Sequence, residues 1–135
     1  MDKVGKACSH ARDLLLREPW WAEWWAGVAT MAWAIWSWLS PIGLEARPTW
    51  ATLTALMDEG WWQTTGVALG SVKLLILLLD NRTARRLSCF FGLWWWSLLT
   101  LAVLSVDTSA PSAALYAVFA GINLYSLIRL GPAPG

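Results

Sequence analysis

The chain has 135 residues, enough for one domain, and 57% of them are hydrophobic against 14% charged. The apolar residues form long runs rather than the periodic pattern of a water-soluble core, which argues against a soluble domain and for the bilayer as solvent. A net charge of +1 offers no electrostatic footprint for nucleic acid, so no nucleic-acid contact is expected from charge.

Residues 2–17 read as an amphipathic helix. Val4, Ala7, Cys8, Ala11, Leu14 and Leu15 make one side, and Lys3, Lys6, Arg12, Asp13 and Arg17 mark much of the rest. Such a helix lies at a membrane surface or serves as a solvated lead-in to the first span. The segment is too charged for the apolar part of a cleavable signal peptide. Pro19 suits the first turn of the helix that follows.

The stretch WWAEWWAGVATMAWAIWSWL, residues 20–39, is the first expected span. It is about the length that crosses a hydrocarbon core as a helix, and it carries seven of the 13 tryptophans and one ionisable group, Glu23. At 100° per residue, Glu23, Gly27, Thr30, Ala34 and Ser37 fall on one stripe. Small and polar residues are what a membrane helix shows a neighbouring helix, and large amphipathic rings are what it shows lipid.

Residues 41–48 form a loop by their Pro, Gly and charged residues. Thr49 is placed to cap a short helix over residues 50–57, whose Trp50, Leu53 and Leu56 would rest on the interface. Asp58, Glu59 and Gly60 end it. Residues 61–79, WWQTTGVALGSVKLLILLL, are the second span. Gly66 and Gly70 form a GxxxG pair, and Gln63, Gly66, Gly70 and Lys73 repeat the stripe geometry of the first span, so the two are natural partners. Residues 80–86, DNRTARR, read as a charged turn. The third span covers residues 87–106, with Trp94, Trp95 and Trp96 well inside it. After the turn DTSAPS comes the fourth, residues 113–130. Its Ala113, Ala117 and Gly121 recur at four-residue steps, with Asn123 on a different side.

Orientation follows from the positive charges. With four spans, Lys3, Lys6, Arg12, Arg17, Arg82, Arg85, Arg86 and Arg129 fall on one side, Arg47 on the other, and Lys73 within a span. This bias places both termini in the cytoplasm, as expected for a bacterial inner-membrane protein. Cys8 and Cys89 then face or adjoin a reducing compartment, and neither sits in a metal-binding spacing, so both are expected to be free thiols.

Glu23 and Lys73 are the ionisable residues inside the expected spans, where a charge costs roughly 2.5–3.5 kcal/mol on insertion scales. Pairing the first two spans antiparallel with Ser37 opposite Gln63 sets Ala34 against Gly66, Thr30 against Gly70 and Gly27 against Lys73. The lysine then needs to reach about one helical turn, roughly 5–6 Å, to meet Glu23. An intramembrane ion pair, Glu23–Lys73, is the expectation, and separate snorkelling of each group is the alternative. Trp20, Trp21, Trp24 and Trp25 at one end and Trp61 and Trp62 at the other suit interface anchors. The rings of Trp94–Trp96 point about 100° apart, so at least one should face protein, with Gln63, Thr64, Thr65 and Asn123 as candidate acceptors. No nucleophile, phosphate-loop or metal-ligand pattern is present in the sequence, His10 has no partner, and neither an enzyme nor a cofactor is expected.

Four spans with an acidic residue in the first resemble small multidrug-resistance transporters in outline. The departures are a Glu23 near the start of its span, a long N-terminal lead and a strong charge bias. The basic helix running into EPWWAEWWAGVATMAWAIWSWLSP, with GINLYSLIRL near the C-terminus, resembles small membrane proteins encoded by tailed bacteriophages, most of which have no assigned function. That resemblance implies a phage or prophage setting and transfers no functional residues. The sequence therefore leads to an all-α fold, an integral membrane four-helix bundle with interfacial amphipathic helices. Gly27, Thr30, Ala34, Gly66, Gly70, Ala117 and Gly121 are its expected packing residues. The expected partners are the bilayer and either further copies of the chain or other phage membrane or virion proteins. A structural or DNA-ejection-associated membrane component is the leading role. A holin-type lysis protein and a proton-coupled transporter are the alternatives.

Overall fold

Turn chemistry sets the helix boundaries. The computed structural model describes residues 2–16 and 20–131, and the regular elements among them are helical. In chain order they are α1 (Asp2–Leu16), α2 (Trp20–Leu39), two 3-10 turns (Leu44–Ala46 and Pro48–Trp50), α3 (Ala51–Leu56), α4 (Glu59–Leu79), α5 (Arg82–Val106) and α6 (Pro111–Arg129). Arg12, Arg17 and Pro19, invoked above, lie outside the described residues or side chains. The described side chains of α1, from Asp2 to His10, are exposed.

Helix α4 stops where Asp80 turns left-handed, with φ 54°, a conformation Asp tolerates better than most residues. Asn81 follows at once, and its side-chain oxygen accepts from Ala84 N to cap α5. The charged turn is therefore only Asp80–Asn81, and α5 begins at Arg82 rather than at residue 87. That early start brings three arginines onto a helix and gives each a fixed direction. At the far end Pro111 opens α6 at a first-turn position, where its missing N–H leaves no bond unmade.

Among the described residues three helices, α4, α5 and α6, are long and apolar enough to cross a membrane. Helix α2 matches them in length at 20 residues but carries tryptophan where they carry leucine. Helix α2 packs on α4, α5 on α6, α4 on α5 and α2 on α6. Helices α2 and α5 thus stand across from each other, and side chains that meet across the interior join them. Arg85 reaches Glu23, and Trp96 Nε1 donates to Thr30 Oγ1 at 3.2 Å.

The α2–α4 contact is a seam of small residues. Gln63 Nε2 donates to Ser37 O at 3.2 Å. A methyl group on Gly66 would lie 2.7 Å from Ala34 Cβ, and one on Gly70 would meet the Met31 side chain and, at 2.9 Å, its backbone N. Gly27 faces Leu74 and the carbonyl of Gly70. On the other pair, Gly92 of α5 makes room for Asn123 of α6, whose amide a Cβ at that position would strike.

Two expectations fail in this packing. Ala117 and Gly121 are exposed, and nothing lies within contact distance of a Cβ at Gly121. The inner face of α6 carries Ala113, Ala120, Asn123 and Ser126 instead. Asn123 decides the rotation, because its amide fills the notch at Gly92 and is hidden from solvent. Nor do the side chains of Trp50, just before α3, and Leu53 within it face outward. Trp50 and Leu53 are buried over the ends of the long helices, and only Leu56 points outward. Trp62, expected as an anchor, holds that cap in place: its Nε1 donates to Leu53 O at 2.8 Å and Met57 O at 3.0 Å.

Candidate functional site

The interior has an ionic end and an aromatic end. The ionic end is built from three helices. Glu23 comes from α2, Lys73 from α4, and Arg85, Ser88 and Cys89 from one face of α5. The three charged residues are each no more than 2% exposed. The expected Glu23–Lys73 pair is not formed, and the partner of Glu23 is Arg85. Arg85 Nε donates to both carboxylate oxygens, at 3.2 Å and 3.1 Å, and Nη2 is bonded to Oε2. Its Nη1 donates to Asp80 Oδ1 at 3.0 Å, so one guanidinium bridges a buried and an exposed carboxylate.

The physical reason for the exchange is geometry. A planar guanidinium presents several N–H groups in one fork and meets a carboxylate along an edge, whereas an ammonium meets it as a point. Arg85 also reaches Glu23 from across the interior, where its long stem fills space between α2 and α5. Lys73 is turned toward α5, with Nζ donating to Ser88 Oγ at 3.2 Å and to Cys89 Sγ at 3.7 Å. The Cys89 thiol in turn lies 3.6 Å from Glu23 Oε1. The lysine and the glutamate are therefore joined through a thiol rather than paired. Cys89 is buried and free, and Cys8 is free and exposed.

The aromatic end holds Trp33, Trp50, Trp62, Trp95, Trp96, Tyr116 and Phe119. Edge-to-face contacts link Trp33 to Trp50 and to Trp95, with ring centroids 5.7 Å and 5.6 Å apart. Trp96 lies between Tyr116 and Phe119. Trp33 Nε1 donates to Tyr116 Oη at 3.1 Å. Of the three consecutive tryptophans, Trp94 points outward and Trp95 and Trp96 inward. The acceptor for Trp96 is Thr30, and Trp95 Nε1 is buried without one. Of the other expected anchors, Trp21, Trp25 and Trp61 are exposed, while Trp20 and Trp24 are half-buried in a chain of ring contacts with Trp21 and Trp25.

Arg85, Gly92, Ser88 and Cys89 were missed as site residues. The signal was there: Arg85, Cys89, Gly92, Trp96 and Leu99 recur every three or four positions along one face, with Ser88 beside Cys89. Reading residues 80–86 as a turn hid it. Chemically the ionic end can tie two helices together across the interior and lodge a lysine on neutral groups. Among the described residues no group of three or more His, Cys, Asp or Glu is placed to hold a metal ion. Comparison with protein families, curated proteins and solved structures finds no match to this chain.

Proposed function

We propose that the chain is a four-span membrane protein of phage or prophage origin, with both termini cytoplasmic, that serves as a non-enzymatic structural or DNA-ejection-associated component. The observation that carries the membrane part is the inverted distribution of large apolar groups. Trp21, Leu75, Phe91, Trp94, Leu101 and Ile128 are all more than half exposed on the long helices, while the interior holds Glu23, Lys73, Arg85, Gln63 and Asn123. A surface this apolar needs lipid or protein against it. Helix α2 is the fourth span in this reading, because it runs antiparallel to α4 from Ser37 against Gln63 to Gly27 against Leu74. The phage setting rests on the sequence pattern described above.

The static role is supported by closure at both ends. The Glu23–Arg85 fork ties α2 to α5 at one end, and Trp50 and Leu53 cover the other. A holin-type role asks these helices to part. A proton-coupled role asks Glu23 to release a partner that engages both its oxygens. Mass spectrometry of purified virions, beside membranes of induced cells, tests the reading. Stoichiometric presence in virions is the expected result. Recovery from host membranes alone, with leakage on expression, would overturn it in favour of lysis.

A further inference from the structure

We propose that the cleft between the start of α5 and the end of α6 is a headgroup site for an anionic phospholipid of the cytoplasmic leaflet, an inference that rests on the membrane reading above. Thr83, Arg86, Leu87 and Phe90 lie on one face of α5 and, with Leu127 of α6, line a cleft of about 350 Å³. Its chemistry is ordered along the helix. Thr83 and Arg86 stand in the first turns of α5, and Phe90 and Leu127 lie deeper. A phospholipid has the same order, with phosphate at the interface and chain below it.

The three arginines of this helix divide the work. Arg85 is turned inward and spent on Glu23 and Asp80. Arg82 Nε donates to Leu130 O at 2.9 Å and ties α5 to α6. Arg86 Nε is buried and has no acceptor in the protein. A guanidinium on the wall of a cleft at a membrane interface favours a phosphate beside it, which offsets its charge and accepts charge-assisted bonds from the part of Arg86 that lines the cleft. Thr83 supplies a hydroxyl at the lip, and the positive end of the α5 dipole adds to the same field. The apolar wall below explains why the ligand is a lipid rather than a free anion: Leu87, Phe90 and Leu127 offer an acyl chain contact surface that a soluble phosphate would leave bare.

Native mass spectrometry of the detergent-solubilised full chain, with phosphatidylglycerol or phosphatidylethanolamine added, tests this. Retained phosphatidylglycerol should exceed phosphatidylethanolamine in the parent protein. Arg86→Gln should lower phosphatidylglycerol retention about tenfold, the effect of one charge-assisted bond. Arg86→Lys should keep part of it, and Arg47→Gln at the opposite end should keep all of it. Thr83→Glu, at an exposed position, should abolish retention even if Arg86→Gln proves unstable by circular dichroism. Equal retention of the two lipids, unchanged retention in Arg86→Gln or Thr83→Glu, or displacement by inorganic phosphate would each overturn the proposal. An alkaline carbonate wash of membranes distinguishes failure of the wider reading, because release of the chain there would overturn the membrane assignment itself.

Discussion

The two ends of the interior hold the long helices together by opposite means. At the ionic end a few directional groups carry the connection, and each is expensive to bury alone. At the aromatic end many rings share the work, and only some of their N–H groups find acceptors. The difference teaches where this protein is brittle. Loss of one ionic partner strands a charge in the interior, whereas loss of one ring N–H removes a single neutral bond.

The largest expected effect follows from the ionic end. Arg85→Ala leaves the Glu23 carboxylate buried and uncompensated, and should lower stability by about 3–5 kcal/mol in detergent thermal melts. The double change Glu23→Gln with Arg85→Met should recover part of that loss, because neither member of the fork is then left without the other, although Lys73 stays buried beside them. Additive losses in the cycle would show that the fork is not the element that joins α2 to α5.

Next comes the small-residue seam. Gly70→Leu should cost about 1–3 kcal/mol through overpacking and open the α2–α4 contact to protease, since backbone of Met31 and Gly27 lies against it. Gly27→Ala should cost less, because the flexible Leu74 side chain can move aside. Equal sensitivity at the two positions would place the tight point elsewhere.

The aromatic end sharpens the contrast. Trp96→Phe removes the bond to Thr30 and should cost about 1 kcal/mol beyond the lost ring area. Trp95→Phe removes a donor that has no acceptor, so its loss should be smaller, set by ring area alone. Paired melting curves of the two variants decide this, and a larger loss at Trp95 would mean that its N–H is bonded.

The smallest effect lies outside the helices. Asp107 is fully exposed and accepts from Ser109 N at 3.0 Å and Oγ at 2.7 Å, which holds its carboxyl below the usual carboxylate range. A depressed carboxylate contributes stability above its unfolded value, and that contribution fades as pH falls through the folded one. Full exposure keeps that contribution small, so Asp107→Asn should flatten the acid melting profile only slightly. A marked shift in that profile would reveal a coupling between this turn and the ionic end.

How much was legible in the sequence depends on the dimension of the signal. The stripes Glu23–Gly27–Thr30–Ala34–Ser37 and Gln63–Gly66–Gly70–Lys73 are one-dimensional patterns, and two such patterns fit in one register. Ser37 against Gln63 and Ala34 against Gly66 follow from spacing alone, because close backbone approach needs small residues on both sides. Helix type and the apolar outer surface were legible for the same reason, and helix length was too except at the start of α5.

The partner of Glu23, the face of α6 and the burial of the short α3 were decided by tertiary structure. Which of Arg82, Arg85 and Arg86 turns inward depends on the phase of α5, which Asn81 sets by capping the helix five residues before its apolar run begins. Asn123 rather than the Ala117–Gly121 steps faces α5, because only the notch at Gly92, on another helix, has room for its amide, whose Nδ2 donates to Phe119 O. Local periodicity reports which faces a helix has. Only the fit of distant side chains, each filling space or satisfying a donor the others leave, determines which face is used.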